Sequence, residues 1–199
     1  MNMGLNERQI MTNVEEVFAL YDRFGSEEYG ENVSQLMHMM QSANYAAREG
    51  ASDDLVIAAF LHDIGHFLET TQDMEGYGRH DHDLLGGAYL IRMGFSLRIA
   101  SLVSSHVMVK RYLTYKDPSY YEQLSEASRI TLKFQGGPMN AAEAREFEAN
   151  PMKEEFIKIR VWDDLGKDAD VPVLEEDLAR MKVLISDHLK VLHLGTGIK

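Results

Sequence analysis

The segment Leu61-His62-Asp63-Ile64-Gly65-His66 concentrates imidazole and carboxylate groups in one short stretch. Those groups are the ligand set of iron, manganese and zinc enzymes. Successive residues on an α-helix point about 100° apart, so His62 and Asp63 can serve one ion together only near a helix end. Gly65 is expected to supply that end. The carboxylate of Asp63 has two oxygens and could bridge two cations. Taken alone, the segment is as compatible with a helix C-terminus carrying a surface His and Asp.

Further candidates lie along the chain. His38 falls on a Gln35/His38/Ser42 stripe in the preceding helix, and a short connection to the His62 helix favours antiparallel contact. His80 and His82 precede an apolar helix, and His106 follows Leu102-Val103-Ser104-Ser105. Asp163 follows the single tryptophan, in Ile159-Arg160-Val161-Trp162-Asp163. Each residue taken singly reads as packed or exposed. Together, His38, His62, Asp63, His82, His106 and Asp163 form a set sufficient for two metal ions, with His80 competing for the place of His82.

Composition narrows the chemistry. The chain has 199 residues and no cysteine, which excludes disulfides, iron–sulfur clusters, thiolate zinc sites and a cysteine nucleophile. The net charge of −12, with no basic tract, opposes nucleic acid and acidic membranes as partners. The first residues lack the basic-then-apolar layout of a signal peptide, and no apolar run approaches ~20 residues. The expected compartment is the cytoplasm.

The elements that must position these groups are helices. Ile10, Val14, Val17/Phe18, Tyr21 and Phe24 repeat at helical spacing up to Gly25. A second helix is expected from near Ser34 to before Gly50, and a third from a Ser52 cap through Asp63. Asp81 or His82 opens the next, closed by Gly94, and Ser96 caps one running toward His106. Asp117-Pro118 predicts a single helix reaching Phe134, before the break Gln135-Gly136-Gly137-Pro138. Asn140 with Glu143 starts a short helix, and the helix after Asn150-Pro151 carries Arg160 and Asp163. An amphipathic helix at about 173–193, with Leu174, Met181, Ile185, Leu189 and Leu192 on one face, closes the chain. His188 and His193, on that helix, read as structural or exposed. Polar loops are expected at 68–79 and 164–172. No strand pair, repeat or low-complexity linker stands out, so the expected fold is an all-α helical bundle of one domain spanning 1–199.

The ordered ligand set resembles the HD-domain superfamily, and within it the mixed-valent di-iron oxygenases. Flanking segments sharpen this. Val107-Met108-Val109-Lys110-Arg111-Tyr112-Leu113, Leu124-Ser125-Glu126-Ala127-Ser128-Arg129, Gln135-Gly136-Gly137-Pro138-Met139 and Ile159-Arg160-Val161-Trp162-Asp163 are similar to the 1-hydroxyphosphonate oxygenases, across about residues 29–167.

The resemblance implies two iron ions, Fe(II)/Fe(III), with dioxygen as co-substrate. His38, His62, Asp63 and Asp163 would hold the first iron, and Asp63 would bridge to a second held by His82 and His106. Asp63, His82 and His106 would thus carry the catalytic step. His82 is preferred over His80 because His82-Asp83-Leu84-Leu85-Gly86-Gly87-Ala88-Tyr89-Leu90 matches the family's ligand helix. The implied partner is a small-molecule phosphonate, met by Lys110 and Arg160 as cations and by His66, Ser128 and Thr131 as donors. Tyr29 and Glu31 would close over its nitrogen end. The implied reaction is oxidative C–P bond cleavage of 1-hydroxy-2-(trimethylammonio)ethylphosphonate to glycine betaine and phosphate. The same cleavage of 2-amino-1-hydroxyethylphosphonate to glycine is the alternative, and an HD-type phosphohydrolase a more distant one. The sequence leaves the oligomeric state open.

Overall fold

Helix starts that the sequence signals are built around capping side chains in extended backbone. Asn6 and Gln9 form a reciprocal capping box at the start of α1 (Glu7–Phe24), and Ser34 caps α2 (Gln35–Arg48). Ser52 has the extended cap conformation before α3 (Asp53–Leu61), where Asp53 and Asp54 complement the helix dipole. After a 3-10 turn (Ile64–Phe67) come α4 (His82–Arg92), α5 (Leu97–Val103) and α6 (His106–Lys116). The chain continues through α7 (Pro118–Gln123), α8 (Glu126–Phe134), α9 (Ala141–Glu148), α10 (Lys153–Leu165) and α11 (Glu175–Leu194).

The computed structural model describes residues 4–68 and 74–195. Residues 1–3, with the N-terminal layout read above, lie outside them, as do 69–73 of the expected 68–79 loop and 196–199. The fold is all-α: no strand occurs among the described residues. None of their helices is long and apolar enough to cross a membrane.

Burial follows the helical periodicity. Ile10, Val14, Val17 and Tyr21 of α1 face the core, and Ile57, Phe60 and Leu61 of α3 are fully enclosed. α3 is buried from Leu55 through Leu61 because α2, α5, α10 and α11 all pack on it. Trp162 of α10 and Met181, Ile185 and Leu189 of α11 complete the cluster. Each such side chain contributes about 1.5–3 kcal/mol by leaving water. The enclosing helices therefore hold the ends of α3, α4, α6 and α10 firmly, and those ends carry the chemistry.

Four expectations need correction. The helix through His62-Asp63 ends at Leu61, before Gly65, and the chain tightens into the 3-10 turn. Gly65 is required for a different reason. A Cβ there would lie 1.7 Å from the His82 carbonyl oxygen, so glycine lets the turn press against the start of α4. The single helix expected to reach Phe134 is two helices, because Ser125 caps α8 by accepting from Ser128 N–H. The expected loop at 164–172 starts later, since α10 runs through Leu165. On α11, Leu174 and Leu192 are about half exposed, and the buried stripe is Met181, Ile185 and Leu189.

Candidate metal centre and its cavity

α3 gives out one residue before His62, so His62 and Asp63 leave the helical screw and turn to the same side. Four imidazoles meet there in two pairs. His38 and His62 place their Nε2 atoms 3.1 Å apart, and His82 and His106 place theirs 2.8 Å apart. All four rings are buried.

Each ring is oriented from behind. His38 Nδ1 lies 2.8 Å from the Gly166 carbonyl, and His62 Nδ1 2.8 Å from that of Ala59. His82 Nδ1 lies 2.6 Å from the Arg79 carbonyl, and His106 Nδ1 3.0 Å from that of Val103. A carbonyl only accepts, so each Nδ1 carries the proton and each neutral ring presents an Nε2 lone pair. Two facing lone pairs repel unless a cation lies between them. Backbone carbonyls behind ligating histidines are the arrangement that fixes the tautomer at metal sites.

The carboxylates complete the picture. Asp63 Oδ2 lies 3.5 Å from both His38 Nε2 and His62 Nε2, and its Oδ1 lies 3.4 Å from His82 and 3.2 Å from His106. Asp163 Oδ1 lies 3.4 Å from His38 and 3.9 Å from His62. Two groups with the spacing of metal ligands result among the described residues: His38, His62 and Asp163, and Asp63, His82 and His106. Neighbouring ligand atoms at about 2.1 Å from one ion are separated by roughly 3–4 Å, so the donor set fits two divalent or trivalent ions with nitrogen and oxygen ligands.

The protons of this metal-free arrangement follow the same logic. Burial works against a charged His38, but hydrogen bonds to Asp163 and Asp63 outweigh it and raise it to about 10. His106 is raised likewise against burial by Asp63, whereas burial lowers His82. The raised His38 thus favours a positive charge at the place where a cation fits. Burial would raise Asp63, but His62 and the other facing imidazoles hold its carboxyl well below the usual range.

His80 stands apart. Its Nδ1 pairs with Asp81, its Nε2 meets the Phe134 carbonyl at 2.8 Å, and its side chain is 37% exposed. His188, beside Asp54, and His193, against the Gly94 carbonyl, lie on α11 away from the cluster.

A cavity opens over the two groups. Tyr29, Glu31, His66, Lys110, Ser128, Thr131 and Arg160 all line it. Lys110 Nζ donates to Thr131 Oγ1 at 2.8 Å, and its burial, reinforced by Arg160, pushes it down to about 7. His66 accepts from Arg79 N–H through Nδ1 at 3.0 Å, leaving its Nε2 as an N–H donor. Burial, then the neighbouring His82, keeps His66 well below its usual value and therefore neutral. Gly78, at φ +88°, passes so close to this ring that a Cβ would lie 2.4 Å from it. The Tyr29 ring packs against His66, with centroids 4.9 Å apart.

Arg160 sits in the wall with its guanidinium largely committed. Its Nη1 donates to Asp163 Oδ2 at 2.7 Å, its Nε to Tyr120 Oη at 2.9 Å, and it pairs with Asp164. This leaves Asp163 Oδ1 directed at His38 and His62. Arg160 orients a candidate ligand at least as directly as it faces the cavity.

The cavity also contains residues that the sequence reading passed over. Lys167 Nζ donates to Glu31 Oε1 at 2.7 Å and to Ser128 Oγ at 3.2 Å. It stands four residues after Asp163, as Lys110 stands four after His106. Gln35 and Gln135 line the cavity and are buried, yet Gln35 Oε1 and both amide atoms of Gln135 have no hydrogen-bond partner among the described residues. Gln135 lies four residues after Thr131, inside a motif whose glycines drew the attention.

The class follows from helices and site together: residues 32–165 match the HD domain, and the chain belongs to that family. Within it, the chain belongs to the group containing hydroxyphosphonate dioxygenases. It is 40% identical over 167 residues to the [1-hydroxy-2-(trimethylamino)ethyl]phosphonate dioxygenase (glycine-betaine-forming) of Leisingera caerulea, covering 79% of this chain and 82% of that protein. It is 36% identical over 168 residues to the hydroxymethylphosphonate dioxygenase of Gimesia maris, covering 82% and 83%. An uncharacterized protein, L432, of Acanthamoeba polyphaga mimivirus is 43% identical over 166 residues, covering 81% and 76%.

Proposed function

We propose that this protein is a two-iron oxygenase that cleaves the carbon–phosphorus bond of 1-hydroxy-2-(trimethylammonio)ethylphosphonate, giving glycine betaine and phosphate. One observation carries the reading: two facing histidine pairs, joined by the two oxygens of Asp63, open into a cavity lined by Lys110, Ser128 and Thr131. Similarity to the relative that forms glycine betaine supports the choice of substrate.

His38, His62 and Asp163 would hold one iron and His82 and His106 the other, with Asp63 between them. Bound there, the irons would supply the redox chemistry that dioxygen requires. The chain's own residues bind and orient. Lys110 is near neutrality in the empty cavity, and an arriving phosphonate restores its charge while Ser128, Thr131 and His66 donate hydrogen bonds. A phosphonate held there would present its hydroxyl-bearing carbon to a cavity that Asp63, His38, His82 and His106 also line. The Tyr29 face and the Glu31 carboxylate meet the cationic head.

The reaction balances without an external reductant. Dioxygen and the hydroxyphosphonate become a carboxylate and hydrogen phosphate: the C–H and C–P bonds of the hydroxyl-bearing carbon and the O–O bond break, and one C–O and one P–O bond form. Of the two hydrogens on that carbon and its hydroxyl, one ends on the phosphate and one leaves as a proton.

The primary-amine substrate is the second reading. Gln35 Oε1 is a buried acceptor without a partner in the same cavity, and an ammonium N–H would satisfy it where a trimethylammonium could not. Incubating iron-loaded protein in air with each hydroxyphosphonate separates the two. Glycine betaine with phosphate is expected from the first compound. Turnover restricted to the amino compound would replace the first reading by the second.

A further inference from the structure

Lys167 occupies a junction. Its ammonium donates to Glu31 Oε1 at 2.7 Å, to Ser128 Oγ at 3.2 Å and to Ser125 Oγ at 3.3 Å. Ser125 in turn donates to the same Glu31 oxygen at 2.5 Å. Among the described residues three carboxylates line the cavity, and two of them, Asp63 and Asp163, face histidines. Glu31 is thus the lining carboxylate left for a cationic group, and Lys167 already neutralises it.

The same lysine also reaches the hydroxyl-bearing wall of the cavity on α8. Ser128 and Thr131 occupy successive turns of α8; Lys110 Nζ bonds Thr131 Oγ1 at 2.8 Å and Lys167 Nζ lies 3.2 Å from Ser128 Oγ. An anion accepting from both hydroxyls would lie between two ammonium groups. A lysine head on a four-carbon stem can change partners by rotation alone.

We propose that Lys167 couples the two ends of the substrate: it gives up Glu31 for the incoming anion, and the released carboxylate takes the cationic head. The proposal rests on the phosphonate reading above and adds a selectivity rule to it. A plain anion that draws Lys167 away strands a half-buried carboxylate, whereas a zwitterion compensates both charges. The site therefore selects small phosphonates that carry a cation at the far end, whether ammonium or trimethylammonium.

A double-mutant cycle tests this by anaerobic equilibrium binding of hydroxymethylphosphonate to the metal-loaded protein. Glu31→Gln frees Lys167 and is expected to tighten binding about tenfold. In a Lys167→Met background the same change is expected to shift binding less than about twofold, because the exchanging lysine is gone. Equal gains in both backgrounds would mean that Glu31 merely repels anions, and would overturn the proposal. Lys167→Gln repeats the cycle should the methionine variant fold poorly. Wild-type protein that binds no hydroxymethylphosphonate, with or without Glu31→Gln, also overturns it. The phosphonate reading fails separately, if the protein binds these compounds but forms no phosphate in air.

Discussion

His82 and His106 hold their Nε2 atoms 2.8 Å apart while both Nδ1 atoms are committed to backbone carbonyls. Neither ring can turn its proton inward without abandoning a buried carbonyl, so the pair needs a cation between its lone pairs. His38 and His62 repeat the arrangement at 3.1 Å, and Asp63 offers one oxygen to each pair.

Metal binding should release protons. His38 is raised from 6.5 to about 10, so a metal that binds the His38–His62 pair must displace a proton, and His106 is raised in the same direction. Affinity then rises with pH toward about 10. In metal-free protein the sign for stability is opposite. The contribution of a raised histidine is complete below its ordinary value of 6.5 and is lost as pH climbs through about 10. Calorimetry in buffers of different ionisation enthalpy measures the released protons; none at pH 7.5 would contradict the raised His38.

His82→Ala should remove one metal per chain and all oxygen-dependent turnover while the helical fold survives. His80→Ala should leave metal content and turnover within about twofold, since His80 is engaged with Asp81 and the Phe134 carbonyl. Elemental analysis and circular dichroism of the two variants decide between them. The reverse pattern would exchange the roles of these histidines.

Gly65→Ala should be more damaging than its position in a turn suggests. The added carbon meets the His82 carbonyl oxygen at 1.7 Å, so the 3-10 turn and α4 must separate. Overpacking of this kind costs about 3 kcal/mol, and the shift moves His82. Thermal denaturation and metal content should fall together; an unchanged metal content would detach Gly65 from the site.

Lys110→Met should trade function for stability. Burial, with Arg160 adding to it, depresses Lys110 to about 7, so its charge opposes folding most at low pH. That opposition is relieved as pH rises between about 7 and the ordinary 10.5, and the variant should lack this pH-dependent gain. Its midpoint of thermal unfolding should exceed the wild type's below pH 7. Loss of the cation should weaken phosphonate binding by roughly a hundredfold. A variant both less stable and fully able to bind would refute the assignment of Lys110 to the anion.

Much of this protein was legible in the residues because caps and helical periodicity are local. Ser34, Ser96 and Asn140 all cap where the sequence placed them, and the stripe of α1 is the one that packs. The errors came where tertiary contact overrides local signals. Gly65 looked like a helix stop because its neighbour across the turn, the His82 carbonyl, lies 17 residues later in the chain. Ser125 was absorbed into one long helix because the apolar pattern runs on through it. Lys167 was missed because its partners Glu31 and Ser128 come from two distant segments, and no periodicity links them. Arg160 lines the cavity, and its guanidinium also binds Asp163 one turn along its own helix.

Phosphate release by iron-loaded protein from 1-hydroxy-2-(trimethylammonio)ethylphosphonate, followed with and without oxygen, tests the central claim most directly. In air, phosphate should appear in step with oxygen consumed, and under argon none should form. Phosphate released at the same rate without oxygen would show a hydrolase and contradict the account.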